Sequence, residues 1–164
     1  MAKYKKQGSR KTSPAAAPSI SISPRKSVET ASRQQTIAQQ RAGFALKKVL
    51  AVTPDKETAN RFKAYANSLP AMIQTNGIGQ ALAFAKMKGN GRGPEASAWL
   101  ALYKAVSEWL TTGERGIWPA QQDVMEAIVA GDQYQYQRAH AEAQALLSWI
   151  KQFARAEIAG DSHE

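Results

Sequence analysis

From Ser32 onward, apolar residues recur at the spacing of an α-helix, and they do not alternate with polar residues over any useful length. One run follows the spacing i, i+3, i+4, i+7, i+10, i+11, which places its side chains on one helix face: Phe62, Tyr65, Ala66, Leu69, Met72 and Ile73. Because a half-buried strand would need a period of two, the pattern predicts an all-α fold without a sheet. The short connections favour a compact antiparallel helical bundle of about five to seven helices.

Capping and breaking residues set the expected helix boundaries. Ser32 is the predicted N-cap of a first helix over residues 32–51. Thr53-Pro54-Asp55 is a helix start, and Pro70 predicts a kink or a new helix at Leu69, because proline removes a backbone donor. Asn76-Gly77 is a predicted helix stop. Gly93-Pro94-Glu95 opens a predicted helix that Gly113 ends. Three further helices are predicted over residues 78–88, 120–130 and 133–158.

The positive charge is concentrated at the N-terminus. The chain has a formal net charge of +9, and residues 1–31 hold seven Lys or Arg but one acid and almost no large apolar residues. Such a segment cannot bury enough surface to offset its ordering entropy, so we expect a disordered basic tail. The helical bundle domain is predicted over residues 32–158, and residues 159–164 are predicted to be a frayed C-terminus.

The residue types present argue against an enzyme. The chain has no Cys, which excludes disulfides, thiolate zinc sites and Cys nucleophiles and fits a reducing cytoplasm. The two histidines, His140 and His163, lack further ligands in register, so no metal and no cofactor is predicted. The acids stand singly in first turns of predicted helices, where they compensate the helix dipole. No run of about 20 apolar residues predicts a membrane span.

Gly77-Ile78-Gly79 opens a predicted helix, where backbone amides can hold a phosphate. A dinucleotide-binding turn would also need a preceding strand and a third glycine, and Leu82 stands at that third position. The structural interpretation is therefore favoured. Gly77 would supply a positive φ, and Gly79 would let a neighbouring helix approach closely.

Nine basic residues of the bundle fall in three groups. Each could be a solvated charge, but together they predict a groove that follows a phosphate backbone. The candidate nucleic-acid-binding residues are Arg41, Lys47 and Lys48 on the first helix, Lys86, Lys88 and Arg92 around a glycine-rich loop, and Arg138, Lys151 and Arg155 on the last helix.

Residues 69–89, LPAMIQTNGIGQALAFAKMKG, resemble the signature of the Cmr-type small subunit of type III-B CRISPR effector complexes. That family shows a Leu-Pro, an Asn-Gly-hydrophobic-Gly turn and then a helix ending in Lys and Gly. Tyr136-Gln137-Arg138 and Trp149-Ile150-Lys151 in the last helix support the resemblance, which covers residues 33–158. The basic tail departs from the pattern, as does Ala85-Lys86-Met87.

The resemblance implies a non-catalytic subunit in a cytoplasmic antiviral ribonucleoprotein. Copies of such a subunit stack into a filament along the guide RNA, and cleavage is done by other subunits. The implied partners are guide RNA, target RNA, the other Cmr subunits and further copies of the chain, without a membrane. Two alternatives remain open: a purely structural protein–protein spacer without RNA contact, and a small RNA-processing enzyme.

Overall fold

The computed structural model describes residues 35–112, 116–120 and 122–159. These residues form an all-α bundle, as predicted, and contain five helices and no strand. The helices are α1 (Ile37–Val52), α2 (Lys56–Gly89), α3 (Pro94–Thr111), α4 (Val124–Ala130) and α5 (Gln133–Glu157). The predicted tail over residues 1–31 lies outside the described residues, as do residues 160–164 of the predicted C-terminal end.

Side-chain caps fix where two helices begin. The Thr36 hydroxyl accepts a hydrogen bond from the Gln39 backbone N at 3.2 Å, and the Gln39 side chain accepts one from the Thr36 backbone N at 2.8 Å. This capping box makes Thr36 the N-cap of α1, so the assignment of Ser32 to that role is wrong. The Asp123 carboxylate likewise accepts from the first amides of α4, which begins at Val124 and not at residue 120.

The start of α5 was predicted correctly. Asp132 is its N-cap, and Gln135 completes a second capping box, with hydrogen bonds of 2.7 Å and 3.1 Å. Asp55 caps α2 in the same manner through the backbone N of Glu57 and Thr58. The acids expected in first turns therefore do satisfy exposed amides at helix N-termini.

The long helix α2 is interrupted at Gly77, where φ is 82° and ψ is 159°. This confirms the predicted helix stop and the positive φ. A new helix at Leu69 is wrong, because Gly77 is the one residue of α2 with non-helical dihedrals, and the alternative of a kink there stays a prediction. The carbonyl of Pro70 instead accepts a hydrogen bond from Gln144 Nε2 at 2.9 Å, which ties this turn of α2 to α5.

The two arms of α2 on either side of Gly77 contact one aromatic ring of α3. Tyr65 stacks on Trp99 with ring centroids 4.3 Å apart, and Phe84 meets the same indole edge-on at 5.3 Å. Gly79 has the predicted close approach, since a Cβ there would lie 3.3 Å from Ile128 of α4. The core contains the predicted apolar stripes, and its largest fully buried side chains include Phe62, Leu69, Ile73, Ile78, Leu82, Leu102, Leu110, Leu146, Leu147 and Ile150.

Candidate nucleic-acid interface

Four of the nine predicted cations form ion pairs within the bundle. In each pair the acid lies on another helix or at a helix start, so the positive charge is neutralised by a neighbour. The pairs are Arg41–Glu142 at 3.0 Å, Lys86–Asp123 at 3.3 Å, Lys88–Glu95 at 3.6 Å, and Lys48–Glu108.

The Arg41–Glu142 pair joins three helices. The Arg41 Nε and Nη2 atoms donate to the two carboxylate oxygens of Glu142 at 3.1 Å and 3.0 Å, a bidentate arrangement. Trp109 Nε1 of α3 donates to the same carboxylate at 3.2 Å. Only 14% of the Arg41 side chain is exposed. The geometry therefore gives Arg41 a role in helix packing, because its guanidinium is committed to a carboxylate within the bundle.

These contacts keep the acids ionised. Burial raises the pKa of Glu142, but the hydrogen bonds from Arg41 and Trp109 outweigh it and lower the pKa overall. The pKa of Asp123 is also lowered, since hydrogen bonds from the first amides of α4 and from Lys86 exceed the opposing effect of burial. The Tyr103 phenol and Asp123 in turn raise the pKa of Lys86.

The other five predicted cations form no ion pair with an acid in the described part of the chain, namely Lys47, Arg92, Arg138, Lys151 and Arg155. Three of them lie on α5, and Lys151 and Arg155 are one turn apart and share a face. Within the described ranges, Lys47 is the one candidate on α1 without an ion pair, and Arg92 is the one between α2 and α3. The nine predicted residues therefore do not act as one group, and α5 holds the largest set outside the ion pairs.

The exposed side of α5 carries no acid before Glu157. Its one earlier acid, Glu142, is the partner of Arg41. We call this surface the α5 outer face, and it comprises the exposed positions Gln133, Tyr134, Gln137, Arg138, Ala141, Ser148, Trp149, Gln152, Arg155 and Ala156 together with the half-buried Lys151. Amides, cations and a hydroxyl dominate it, and these groups can donate hydrogen bonds to phosphate oxygens.

Two aromatic rings on the α5 outer face were not among the predicted site residues. Trp149 is 37% exposed and stacks on Phe153, with ring centroids 5.5 Å apart and an interplanar angle of 23°. Tyr134 is 66% exposed, and the guanidinium of Arg138 lies 5.7 Å from its ring centroid. The sequence did contain a signal for this surface as a whole, because the chain has a single acid between Asp132 and Glu157.

No group of three His, Asp or Glu side chains within the described ranges is arranged to hold a metal ion. His140 is half-buried on α5, and His163 lies outside the described residues. A search of the same ranges for a helix long and apolar enough to cross a membrane finds none.

Comparison with known proteins identifies the family. The family model for CRISPR-associated protein (Cas_Cmr5) matches residues 37–157, from the first residue of α1 to the last of α5. The X-ray crystal structure of a CRISPR-associated Cmr5 family protein from Thermus thermophilus superposes with a TM-score of 0.57 at 26% identity. The match covers 76% of this chain and 100% of that one. The chain therefore belongs to the Cas_Cmr5 family of CRISPR-associated proteins, which confirms the resemblance of residues 69–89 to the small subunit of type III-B effectors.

Proposed function

We propose that this small subunit acts without catalysis of its own, stacks along the guide RNA, and contacts target RNA or the guide–target duplex through the α5 outer face. The observation that carries the proposal is the scarcity of acids on α5 before Glu157: the one acid there, Glu142, is partly buried and bonded to Arg41, while Lys151 and Arg155 form no ion pair among the described residues. The family supports a place in a ribonucleoprotein. Cleavage would be left to other subunits, as the resemblance implies.

The physical reason for choosing α5 is electrostatic. A cation that already pairs with a carboxylate must break that pair before it can neutralise a phosphate, whereas a cation outside such a pair releases a condensed counterion from the RNA. Lys48, Lys86 and Lys88 are of the first kind, and Lys151 and Arg155 are of the second. Phosphate contacts of this type position the protein without reading sequence, which is left to guide–target pairing.

Charge reversal on α5 tests the proposal. Lys151→Glu with Arg155→Glu changes the net charge by −4, and so does the control pair Arg61→Glu with Lys104→Glu, two exposed cations on α2 and α3. Neither variant disturbs an ion pair among the described residues, whereas Lys48→Glu would set a carboxylate against Glu108. RNA affinity of the assembled complex is measured over a range of salt concentrations.

We expect the α5 variant to bind RNA more weakly. The slope of log K against log salt concentration should fall in magnitude by at least about 1.4, because each of the two lost phosphate contacts on a single strand accounts for about 0.7. The control should change the affinity less and leave the slope close to that of the unaltered complex, because long-range electrostatics are screened within a Debye length. Equal effects of the two variants would show that α5 has no specific contact with RNA.

A protein–protein spacer is the second candidate function. It is favoured by large apolar side chains exposed away from α5: Leu50 at 47%, Met87 at 60% and Val129 at 84%. In that case the basic residues serve solubility, and complexes assembled without this subunit would give the same nuclease footprint on target RNA. A footprint that loses protected nucleotides when the subunit is omitted would support RNA contact.

A further inference from the structure

Phosphate contacts do not explain the indole of Trp149. It is a large apolar side chain with 37% of its surface exposed, in the middle of a polar and cationic helix face. Phe153 is partly buried against the core and stacks on the indole at 5.5 Å, so the ring is supported from within the bundle. A supported aromatic ring whose remaining surface is open is the arrangement on which nucleobases stack.

We infer that Trp149 is a stacking platform for an unpaired base, so that the α5 outer face binds single-stranded RNA in preference to a duplex. The inference rests on the proposed function of that face and specifies single-stranded RNA as its preferred ligand. In a duplex each base except those at the two ends is covered above and below by its neighbours, so along the strand the indole can reach a base face only where the strand is unpaired.

The residues beside Trp149 fit this ligand. Gln152 follows at i+3 on the face of Trp149, and Arg155 is exposed about two turns further along the helix, whereas Lys151 at i+2 faces another side. Gln152 and Arg155 can donate hydrogen bonds to the backbone of a strand whose base lies on the indole.

Tyr134 and Arg138 form a second aromatic and cationic element on the same helix. They precede Trp149 by 15 and 11 residues, and a rise of about 1.5 Å per residue places Tyr134 about 22 Å away along the helix axis. The α5 outer face thus has an aromatic ring towards each end, with the cation Arg138 beside Tyr134. A single strand laid along α5 can use both rings, whereas the ends of a duplex cannot meet them together.

The test uses the full-length chain with an unstructured RNA oligonucleotide that contains 2-aminopurine, and with a blunt RNA duplex of the same length. The variants are Trp149→Ala, Trp149→Leu and Trp149→Phe. Leucine keeps apolar packing on Phe153 without a π-face, and phenylalanine keeps a ring. Met87→Ala, which truncates an exposed apolar residue of α2, is the matched control. Melting temperatures show whether each variant remains folded.

We expect Trp149→Ala and Trp149→Leu to bind the single strand about 5- to 150-fold more weakly, which is the loss of one stacked base. Trp149→Phe should retain most of the affinity, Met87→Ala all of it, and the salt slope should not change. The quenching of 2-aminopurine emission should disappear with Ala and Leu and return with Phe. Affinity for the duplex should be unaltered in every variant.

Failure of the inference can be told apart from failure of the proposed function. If Trp149→Ala and Trp149→Leu keep full affinity and quenching while reversal of Lys151 and Arg155 still weakens binding, the stacking role is refuted and the phosphate contacts stand. If none of these variants alters RNA binding, both are refuted. If Trp149→Ala prevents assembly with other subunits but leaves RNA binding unchanged, the indole is a protein contact and the inference is overturned.

Discussion

Gly77→Ala should lower the free energy of unfolding of the bundle, because it introduces backbone strain and a steric contact. The dihedrals of Gly77, φ 82° and ψ 159°, lie in a region that is open essentially to glycine, and strain there costs about 1–3 kcal/mol. The new Cβ would also lie 2.5 Å from the hydroxyl oxygen of Tyr136 on α5. Displacing that ring from its rotamer adds about 0.5–1.5 kcal/mol. The sum is about 1.5–4.5 kcal/mol.

Thermal unfolding followed by circular dichroism measures this loss. At about 4 °C per kcal/mol for a domain of this size, Tm should fall by about 6–18 °C. Adding Tyr136→Phe removes the hydroxyl that the Cβ would meet, so the double variant should recover about 0.5–1.5 kcal/mol while the backbone strain remains.

Gly43→Ala is the control for Gly77→Ala. Gly43 lies within α1, and a Cβ there meets nothing within 4 Å. Alanine at this position should raise the free energy of unfolding by about 0.4–1 kcal/mol, because it reduces the entropy of the unfolded chain. If Gly77→Ala raised Tm as Gly43→Ala does, or left it unchanged, the positive φ at residue 77 would be refuted.

Three further changes test the packing. Glu142→Gln should lower the free energy of unfolding by about 1–2 kcal/mol at pH 7, since hydrogen bonds to a charged group are lost. Because the folded pKa of Glu142 is lowered, its contribution is present above the ordinary value of 4.5 and is lost as the pH falls through the folded pKa. The Tm difference between Glu142→Gln and the unaltered chain should therefore shrink in acid. Asp132→Ala removes the cap of α5 and should cost about 1 kcal/mol in chemical denaturation. Deletion of residues 1–31 should leave Tm nearly unchanged, because little apolar surface is removed; a marked fall would contradict the assignment of a tail.

Local signals in the sequence were sufficient where a single residue type decides the backbone. Gly77 is one example, because no other residue adopts its dihedrals readily. Asp132 is another, because a carboxylate just before a helix accepts hydrogen bonds from the free backbone amides of its first turn. Thr36 and Gln39 form the same pattern, but Ser32 offered an equivalent hydroxyl four residues earlier. Pro70 did not start a new helix, and the sequence could not decide this, because a proline within a helix can leave the dihedrals on both sides helical.

The charge pattern could not be predicted in the same way. The partners of Lys48 and Arg41 are 60 and 101 residues away in sequence, so only the folded chain shows that these cations are neutralised. A count of basic residues along the helices therefore gave nine equivalent candidates. Burial and ion pairs separate them into residues that hold helices together and residues that form no ion pair within the described part of the bundle.

This separation is the reason for proposing α5 as the helix that binds a polyanion. A surface attracts phosphates only if its cations are not cancelled by acids within a Debye length, about 8 Å at physiological salt. On α3 the acids Glu95 and Glu108 are exposed beside the cations of α1 and α2 that they pair with. On α5 the one acid before the C-terminal end, Glu142, accepts hydrogen bonds from Arg41 and Trp109 and is 30% exposed. Under the proposed function Arg41 would favour RNA binding indirectly, because its guanidinium neutralises the one carboxylate that α5 carries before Glu157.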